Sequence, residues 1–186
     1  MTTSDFRKGL AIRHNGDTYI LVNYQFVNPG KGSAFTRAKI KNVKTLKVIE
    51  VTFKSGEQIE EANMEYKRCQ YMYNDGKTYN FMDSNTYEQF EMPADLIGDQ
   101  GQYMMDGGEV VVVFVDNAPV GLQLPPKMDF KVIDAPPGVK GDTATGGTKP
   151  VKIETGAMVN APLFIKEGDV IRVNTETGEY VERVAK

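Results

Sequence analysis

The chain has 186 residues, of which 40% are hydrophobic and 25% are charged, and its formal net charge is −3. This composition is ordinary for a soluble globular protein, and no apolar run approaches the roughly 20 residues of a membrane helix. The first residues contain no apolar stretch of secretory type, and the single cysteine, Cys69, cannot form an internal disulfide. Both features predict a cytoplasmic protein with no membrane partner.

The charge is unevenly distributed. Residues 1–63 contain 10 Lys and Arg against 6 Asp and Glu, residues 64–127 contain 4 against 10, and residues 128–186 contain 8 against 9. No acid falls between Asp17 and Glu50, whereas six cations do: Lys31, Arg37, Lys39, Lys41, Lys44 and Lys47. A local basic patch attracts phosphate even on an acidic protein. On charge alone, a nucleic-acid contact and an ordinary solvated surface are equally good interpretations.

Short runs rich in Val, Ile, Thr, Tyr and Phe recur along the whole chain between turn residues, which predicts β-structure. Asn15-Gly16 lies between two such runs and predicts a two-residue type I′ hairpin, and Asp75-Gly76 is interpreted in the same way. Residues 110–115 are apolar on both faces and predict a central strand. The only segment with helical character is residues 93–97.

Two junctions predict domain boundaries. The charge changes from basic to acidic near residue 64, and Pro125-Pro126 interrupts the strand pattern because proline cannot donate to a β-ladder. Each resulting unit has about five short strands, which suits a small barrel of the SH3-like or OB type. A long polar loop occupies residues 134–150. We therefore predict an all-β protein of three domains: residues 1–63, 64–127 and 128–186.

A lysine-tipped hairpin is predicted near the N-terminus. Residues 19–27 and 35–43 have strand composition and flank the sequence Pro29-Gly30-Lys31-Gly32. Arms of about eight residues span roughly 26 Å. The glycines remove steric bulk beside Lys31, and Pro29 restricts one side of the turn. Lys31 is then a flexible cation at the end of a slim arm, or else simply a solvated turn lysine.

Alternation along the second arm separates its side chains into two sets. Ala34, Ala38 and Ile40 form a small apolar set that can face a core. On the other face lie Phe35, Arg37, Lys39 and Lys41. The three cations of this set form a row that can face solvent or a phosphate backbone.

Several segments resemble the bacterial elongation factor P family. Residues 28–35, with Pro-Gly-Lys-Gly, are similar to the family's tip loop, and residues 141–150 are similar to a loop of its C-terminal domain. Residues 154–171 follow its signature strand region. Thr177-Gly178-Glu179-Tyr180 with Arg183 is similar to its terminus. The likeness extends over essentially the full length, with small apolar departures at Val151 and Ala161.

The resemblance implies a fold and a function. The family has an SH3-like (KOW-like) domain followed by two OB-fold domains, in an elongated shape like that of tRNA. Its members bind the ribosome between the P and E sites and relieve stalling at consecutive prolines by positioning peptidyl-tRNA. By the resemblance, the chain is a monomeric, non-enzymatic factor with no cofactor or metal, and its partners are both ribosomal subunits, peptidyl-tRNA and a lysine-modifying enzyme.

The resemblance also implies roles for individual residues. Lys31 would face the peptidyl-transferase centre and, as in family members with a lysine at this place, would carry a β-lysyl group or a different amino-alcohol extension, with Pro29, Gly30 and Gly32 supporting its loop. The basic row would contact the tRNA backbone through Arg37, Lys39 and Lys41. The messenger in the E site would lie near Gly141, Asp142 and Thr143. The small subunit would be contacted by Tyr180 and Arg183.

Other functions remain as alternatives. An enzyme is disfavoured because His14 is the only histidine, and one His with one Cys is too few for a metal site. A module that binds single-stranded nucleic acid through OB folds would stack bases on aromatic side chains. Such side chains could be Tyr71, Tyr73, Tyr79 and Phe81, although alternation places one face of these strands in a core. A paralogue with a different substrate preference is the third alternative.

Overall fold

A computed structural model describes residues 1–138 and 146–184. Three five-stranded antiparallel sheets dominate the fold, which confirms the all-β prediction. The chain forms two compact units, one of Met1–Lys67 with Val113–Gly121 and the other of Arg68–Val112 with Leu122–Lys186. The domain limits at residues 63 and 127 stay a prediction. In the described ranges, no helix is long and apolar enough to cross a membrane.

The first sheet follows a short 3-10 helix, Thr3–Asp5. Its strands are β1 (Ala11–His14), β2 (Asp17–Val27), β3 (Phe35–Asn42), β4 (Val48–Lys54) and β5 (Glu60–Glu61), in the order β4-β3-β2-β1-β5. Inward-facing residues of neighbouring strands form one core because side chains alternate along each strand. This core includes Phe6, Leu10, Ile12, Leu21, Ala38, Ile40 and Phe53.

The second sheet has the order β10-β9-β6-β7-β8. Its strands are β6 (Met64–Asn74), β7 (Thr78–Asp83), β8 (Gln89–Pro93), β9 (Glu109–Val115) and β10 (Ala118–Gln123). The strand predicted from residues 110–115 is β9, and its place between β10 and β6 confirms that it is not an edge strand. The predicted helical segment is α1 (Ala94–Ile97), which continues into a 3-10 helix, Gly98–Tyr103.

The third sheet has the order β13-β12-β11-β14-β15. Its strands are β11 (Lys127–Asp134), β12 (Thr148–Ile153), β13 (Met158–Pro162), β14 (Val170–Asn174) and β15 (Tyr180–Val184). Phe130, Val132, Ile153 and Ile171 are almost fully buried in its core. On the exposed face, Arg172 donates from Nε to Asp129 Oδ1 at 2.7 Å and thereby links β14 to β11.

The two predicted hairpin turns differ. Asn15 and Gly16 have φ values of 50° and 85°, as the type I′ prediction requires. The second turn is longer than predicted, because β6 ends at Asn74 and β7 begins at Thr78. The Asp75 carboxylate accepts hydrogen bonds from the backbone N–H groups of Lys77 and Thr78, at 2.8 and 2.7 Å. These bonds stabilise a wider turn, so the two-residue interpretation was wrong here.

One six-residue turn occurs in all three sheets. The first residue accepts, through a side-chain oxygen, hydrogen bonds from the N–H groups two and three residues later. The fifth residue donates its N–H to the carbonyl of the first and has a positive φ, 60° at Leu46, 60° at Tyr87 and 76° at Gly178. The turns connect β3 to β4, β7 to β8 and β14 to β15, at residues 42–47, 83–88 and 174–179.

Candidate functional site

The tip of the β2–β3 hairpin carries the candidate site. The two strands pair from Tyr19 opposite Asn42 to Val27 opposite Phe35, so residues 28–34 form the connecting loop. Lys31 lies in this loop and is exposed. Gly32 has a φ of 115°, a backbone conformation that residues other than glycine rarely adopt. The φ of Gly30 lies outside this glycine-favouring range. The structure therefore places a lysine at an exposed tip, as the sequence predicted.

The arm that carries the loop is wider than the predicted slim hairpin. Strand β4 pairs with β3 from Val48 opposite Lys41 to Lys54 opposite Phe35. The arm is thus a three-stranded sheet up to the last residue before the loop. Hydrogen bonds on both edges of β3 restrain it, so residues 28–34 are the part of the arm that extends past the sheet.

The basic row has the predicted alternation. Arg37 and Lys39 are exposed and Lys41 is partly buried, whereas Ala38 and Ile40 between them have no exposed surface. The core therefore fixes which face of β3 the cations occupy. A one-residue shift of register would put the cations into the core, so the pairing of β3 is strongly specified.

An acidic side chain lies within the basic row, and the sequence interpretation missed it. Glu50 on β4 pairs directly with Lys39 on β3, and its Oε1 lies 3.5 Å from Arg37 Nε. The six-residue turn at 42–47 sets this register, because pairing outward from its ends brings residue 39 opposite residue 50. Recognition of that turn from the sequence would have placed Glu50 in the row.

The C-terminal residues assigned to the small subunit lie on β15. Arg183 is about half exposed; its Cζ lies 5.5 Å from the centre of the Phe164 ring, and its Nη1 lies 4.0 Å from Asp169 Oδ2. Tyr180 is partly buried at the start of the strand. Both residues thus lie on an edge strand of the third sheet.

The residues assigned to the messenger, Gly141, Asp142 and Thr143, lie outside the described residues. Their flanks are connected by a contact that the sequence did not reveal. The Lys149 ammonium, in a largely buried side chain, donates to the Pro136 carbonyl at 2.7 Å. This hydrogen bond ties the start of β12 to the segment that follows β11.

Among the residues named for the alternative functions, Tyr73 is 55% exposed and Tyr79 is partly buried, whereas His14, Tyr71 and Phe81 pack into the protein. His14 is partly buried, with its ring 5.7 Å from that of Phe53, and it packs against the first core. Tyr71 and Phe81 are 2% and 0% exposed, so neither can stack a base. Among residues 1–138 and 146–184, no group of three or more His, Cys, Asp or Glu side chains could hold a metal ion.

The sheets and their turns define a class of protein: an all-β chain of consecutive small domains. Three protein-family models match the chain. They are described as "Elongation factor P (EF-P) KOW-like domain" at residues 2–59, "Elongation factor P (EF-P) OB domain" at residues 64–122 and "Elongation factor P, C-terminal" at residues 128–183. The chain belongs to the elongation factor P family, and it is a translation elongation factor.

Individual relatives agree with this assignment. The chain is 47% identical over 183 residues to an elongation factor P of Moorella thermoacetica, covering 98% of this chain and 99% of that protein. It is also 47% identical over 184 residues to an elongation factor P of Coprothermobacter proteolyticus, covering 99% of each. A solved structure titled "Eukaryotic translation initiation factor 5A from Methanococcus jannaschii" aligns with 64% of this chain and 88% of that chain, at 21% identity and a TM-score of 0.47. A score of that size is too low to support a functional comparison.

Proposed function

We propose that this chain binds the ribosome between the P and E sites and stimulates peptide bond formation at consecutive prolines. It does so by positioning peptidyl-tRNA through Lys31. The observation that carries the proposal is the exposed Lys31 in a loop at the end of a three-stranded arm. Membership of the elongation factor P family supports it further.

Positioning suits the chemical problem that consecutive prolines present. Proline has a fixed φ and a secondary amine, so it reaches the geometry of attack poorly. A partner that holds the peptidyl-tRNA in an attack-ready arrangement recovers rate by reducing the entropy lost in the reaction step. The factor needs no catalytic group of its own for this, and the ribosome remains the enzyme.

The remaining contacts follow from where the charges lie. Arg37, Lys39 and Lys41 face away from the core and contact phosphates of the tRNA backbone in this proposal. Tyr180 and Arg183 contact the small subunit from the edge strand β15. The messenger contact belongs to residues 141–143. The protein acts in the cytoplasm as a monomer, without a cofactor.

Lys31 is the modified residue in this proposal. It is exposed, and the glycines on either side leave its backbone open to a modifying enzyme. A covalent extension lengthens the side chain beyond the loop and brings a polar group closer to the acceptor end of the tRNA. Intact mass spectrometry of protein purified from its source cells should show added mass on Lys31. An unmodified Lys31 would remove this part of the proposal.

The test of the central proposal is Lys31→Ala in reconstituted translation. We expect Pro-Pro bond formation to slow by at least about tenfold, equivalent to about 1.4 kcal/mol of transition-state stabilisation. Thermal unfolding should be unchanged because the side chain is exposed. The matched control is Lys8→Ala, which removes another exposed lysine of the same unit. Equal Pro-Pro rates for Lys31→Ala and the unsubstituted protein would contradict the proposal.

A further inference from the structure

Glu50 brings a negative charge into a surface that is otherwise cationic. On β3 and β4 the exposed face carries Arg37 and Lys39 next to Glu50. The side chains of Arg37 and Glu50 are 49% and 51% exposed, and their closest nitrogen–oxygen distance is 3.5 Å. Solvent therefore reaches the pair, and so could a phosphate.

Folding stability gives little reason for the pair. Exposed ion pairs contribute little to stability, since solvent screens the attraction and the side chains lose freedom. The buried residues Ala38 and Ile40 already fix the register of β3. Glu50 affects a bound anion more directly than it affects folding stability. An RNA phosphate at Arg37 or Lys39 meets the Glu50 carboxylate within a few ångströms, where repulsion is only partly screened.

We propose that Glu50 limits the affinity of this surface for RNA phosphates. The inference rests on the proposed function, in which Arg37, Lys39 and Lys41 contact a tRNA backbone. Glu50 competes with phosphate for Arg37 and repels phosphate from Lys39. The surface then holds unrelated RNA weakly, and attachment depends on further contacts that unrelated RNA does not supply. Glu50 is in this sense a specificity-determining residue.

A positioning role for Glu50 makes the opposite prediction. If the carboxylate served to aim Arg37 at a phosphate, its loss would weaken RNA binding. Glu50→Gln separates the two roles, because glutamine keeps the length and an acceptor oxygen but removes the charge. An affinity-limiting Glu50 predicts tighter binding in this variant, whereas a positioning Glu50 predicts weaker binding.

The experiment measures binding of the full chain to a short RNA duplex of unrelated sequence over a series of salt concentrations. For Glu50→Gln we expect binding about fivefold tighter at about 0.1 M salt, where the Debye length is about 10 Å, with the difference shrinking as salt rises further. The matched control is Glu61→Gln, which makes the same charge change on β5, at the opposite edge of the sheet. It should change affinity less than about twofold, because salt screens charges farther apart than the Debye length.

A second variant, Lys39→Gln, separates the inference from the proposed function. If Lys39→Gln weakens binding and Glu50→Gln does not tighten it, the role of Glu50 is wrong and the RNA-binding surface stands. If Lys39→Gln leaves binding unchanged, the surface is not an RNA contact, and both proposals for it are overturned. A Glu61→Gln effect equal to that of Glu50→Gln would assign the change to net charge and would also overturn the inference.

Discussion

The two glycines beside Lys31 place different demands on the backbone. A Cβ on Gly30 would meet open space, and its φ lies outside the region that favours glycine. A Cβ on Gly32 would lie 3.8 Å from Pro29 Cγ, which is an ordinary contact, but the φ of 115° is itself unfavourable for any other residue. The shape of the tip therefore depends on Gly32 through its conformation, while Gly30 contributes only small size.

We expect Gly32→Ala to impair Pro-Pro synthesis more than Gly30→Ala. Strain of about 1–3 kcal/mol at residue 32 should drive the loop into another conformation and displace Lys31. The melting temperature should change little, because the loop is exposed and can relax. Reconstituted Pro-Pro synthesis at limiting factor concentration measures the difference. Equal activity of the two variants would show that the conformation of residue 32 is unimportant.

At the scale of single residues, alternation predicted which side chains of β3 are buried, because the face that each side chain occupies follows from the sequence of that one strand. Ala38 and Ile40 are buried and Arg37 and Lys39 exposed, as expected. The position of Glu50 depends on the pairing of β3 with β4, which strand alternation does not contain. The contact that alters the charge of the candidate site therefore depended on the turn at residues 42–47, which the Asn-Gly and Asp-Gly signals do not reveal.

Among the elements, the six-residue turn is found in all three sheets, with different residues at its strained position. Tyr87 and Gly178 occupy this fifth position with φ values of 60° and 76°. Tyr87 is 71% exposed, so its ring contributes little burial. A Cβ at residue 178 would lie 3.0 Å from the Tyr103 hydroxyl. Glycine is thus suited to both positions, and in the third sheet it also avoids a close contact.

We expect Tyr87→Gly to stabilise the protein and Gly178→Ala to destabilise it. Relief of the positive φ at residue 87 should outweigh the added freedom of the unfolded chain, for a net gain of up to about 1 kcal/mol. The alanine at residue 178 should cost about 1–2 kcal/mol. Urea unfolding of both variants measures these changes. A loss of stability in Tyr87→Gly would mean that the ring makes a stabilising contact despite its exposure.

The turn escaped the sequence interpretation for a physical reason. Its geometry comes from hydrogen bonds that an Asn or Asp side chain accepts from the following backbone, and glycine is not required. Turn prediction from Asn-Gly and Asp-Gly pairs therefore found residues 15–16 and passed over 42–47 and 83–88. The same mechanism, acting through Asp75, made the loop after β6 longer than expected.

For the whole molecule, stability should fall in acid through particular carboxylates. Hydrogen bonds and the charge of Arg172 lower the pKa of Asp129 below its ordinary value, and backbone hydrogen bonds from Thr78 and Lys77 lower the pKa of Asp75. A lowered pKa in the folded state means that the unfolded chain binds protons more readily. The stabilisation is thus fully present above about pH 4 and is lost as the pH falls through the folded-state pKa.

We expect Asp129→Asn to reduce stability at neutral pH and to have little effect in strong acid. At neutral pH the variant lacks one of the two carboxylates that Arg172 contacts and keeps only Glu182, whereas in strong acid the unsubstituted carboxyl is also neutral. Urea unfolding over a pH series measures the convergence. The control is Asp134→Asn, an exposed position on the same strand. Parallel pH curves for Asp129→Asn and the unsubstituted protein would exclude this role of Asp129.

Strand β4, which pairs with the β2–β3 hairpin, also affects how far Lys31 can reach. Paired strands hardly stretch, so β2, β3 and β4 fix the position of the base of the loop relative to the rest of the sheet. Any gain in the reach of Lys31 must then come from atoms added to its side chain. Enzymatic lengthening of the Lys31 amine would then extend its reach by the length of each added bond. Almost none of that added length would be lost to bending of the three paired strands.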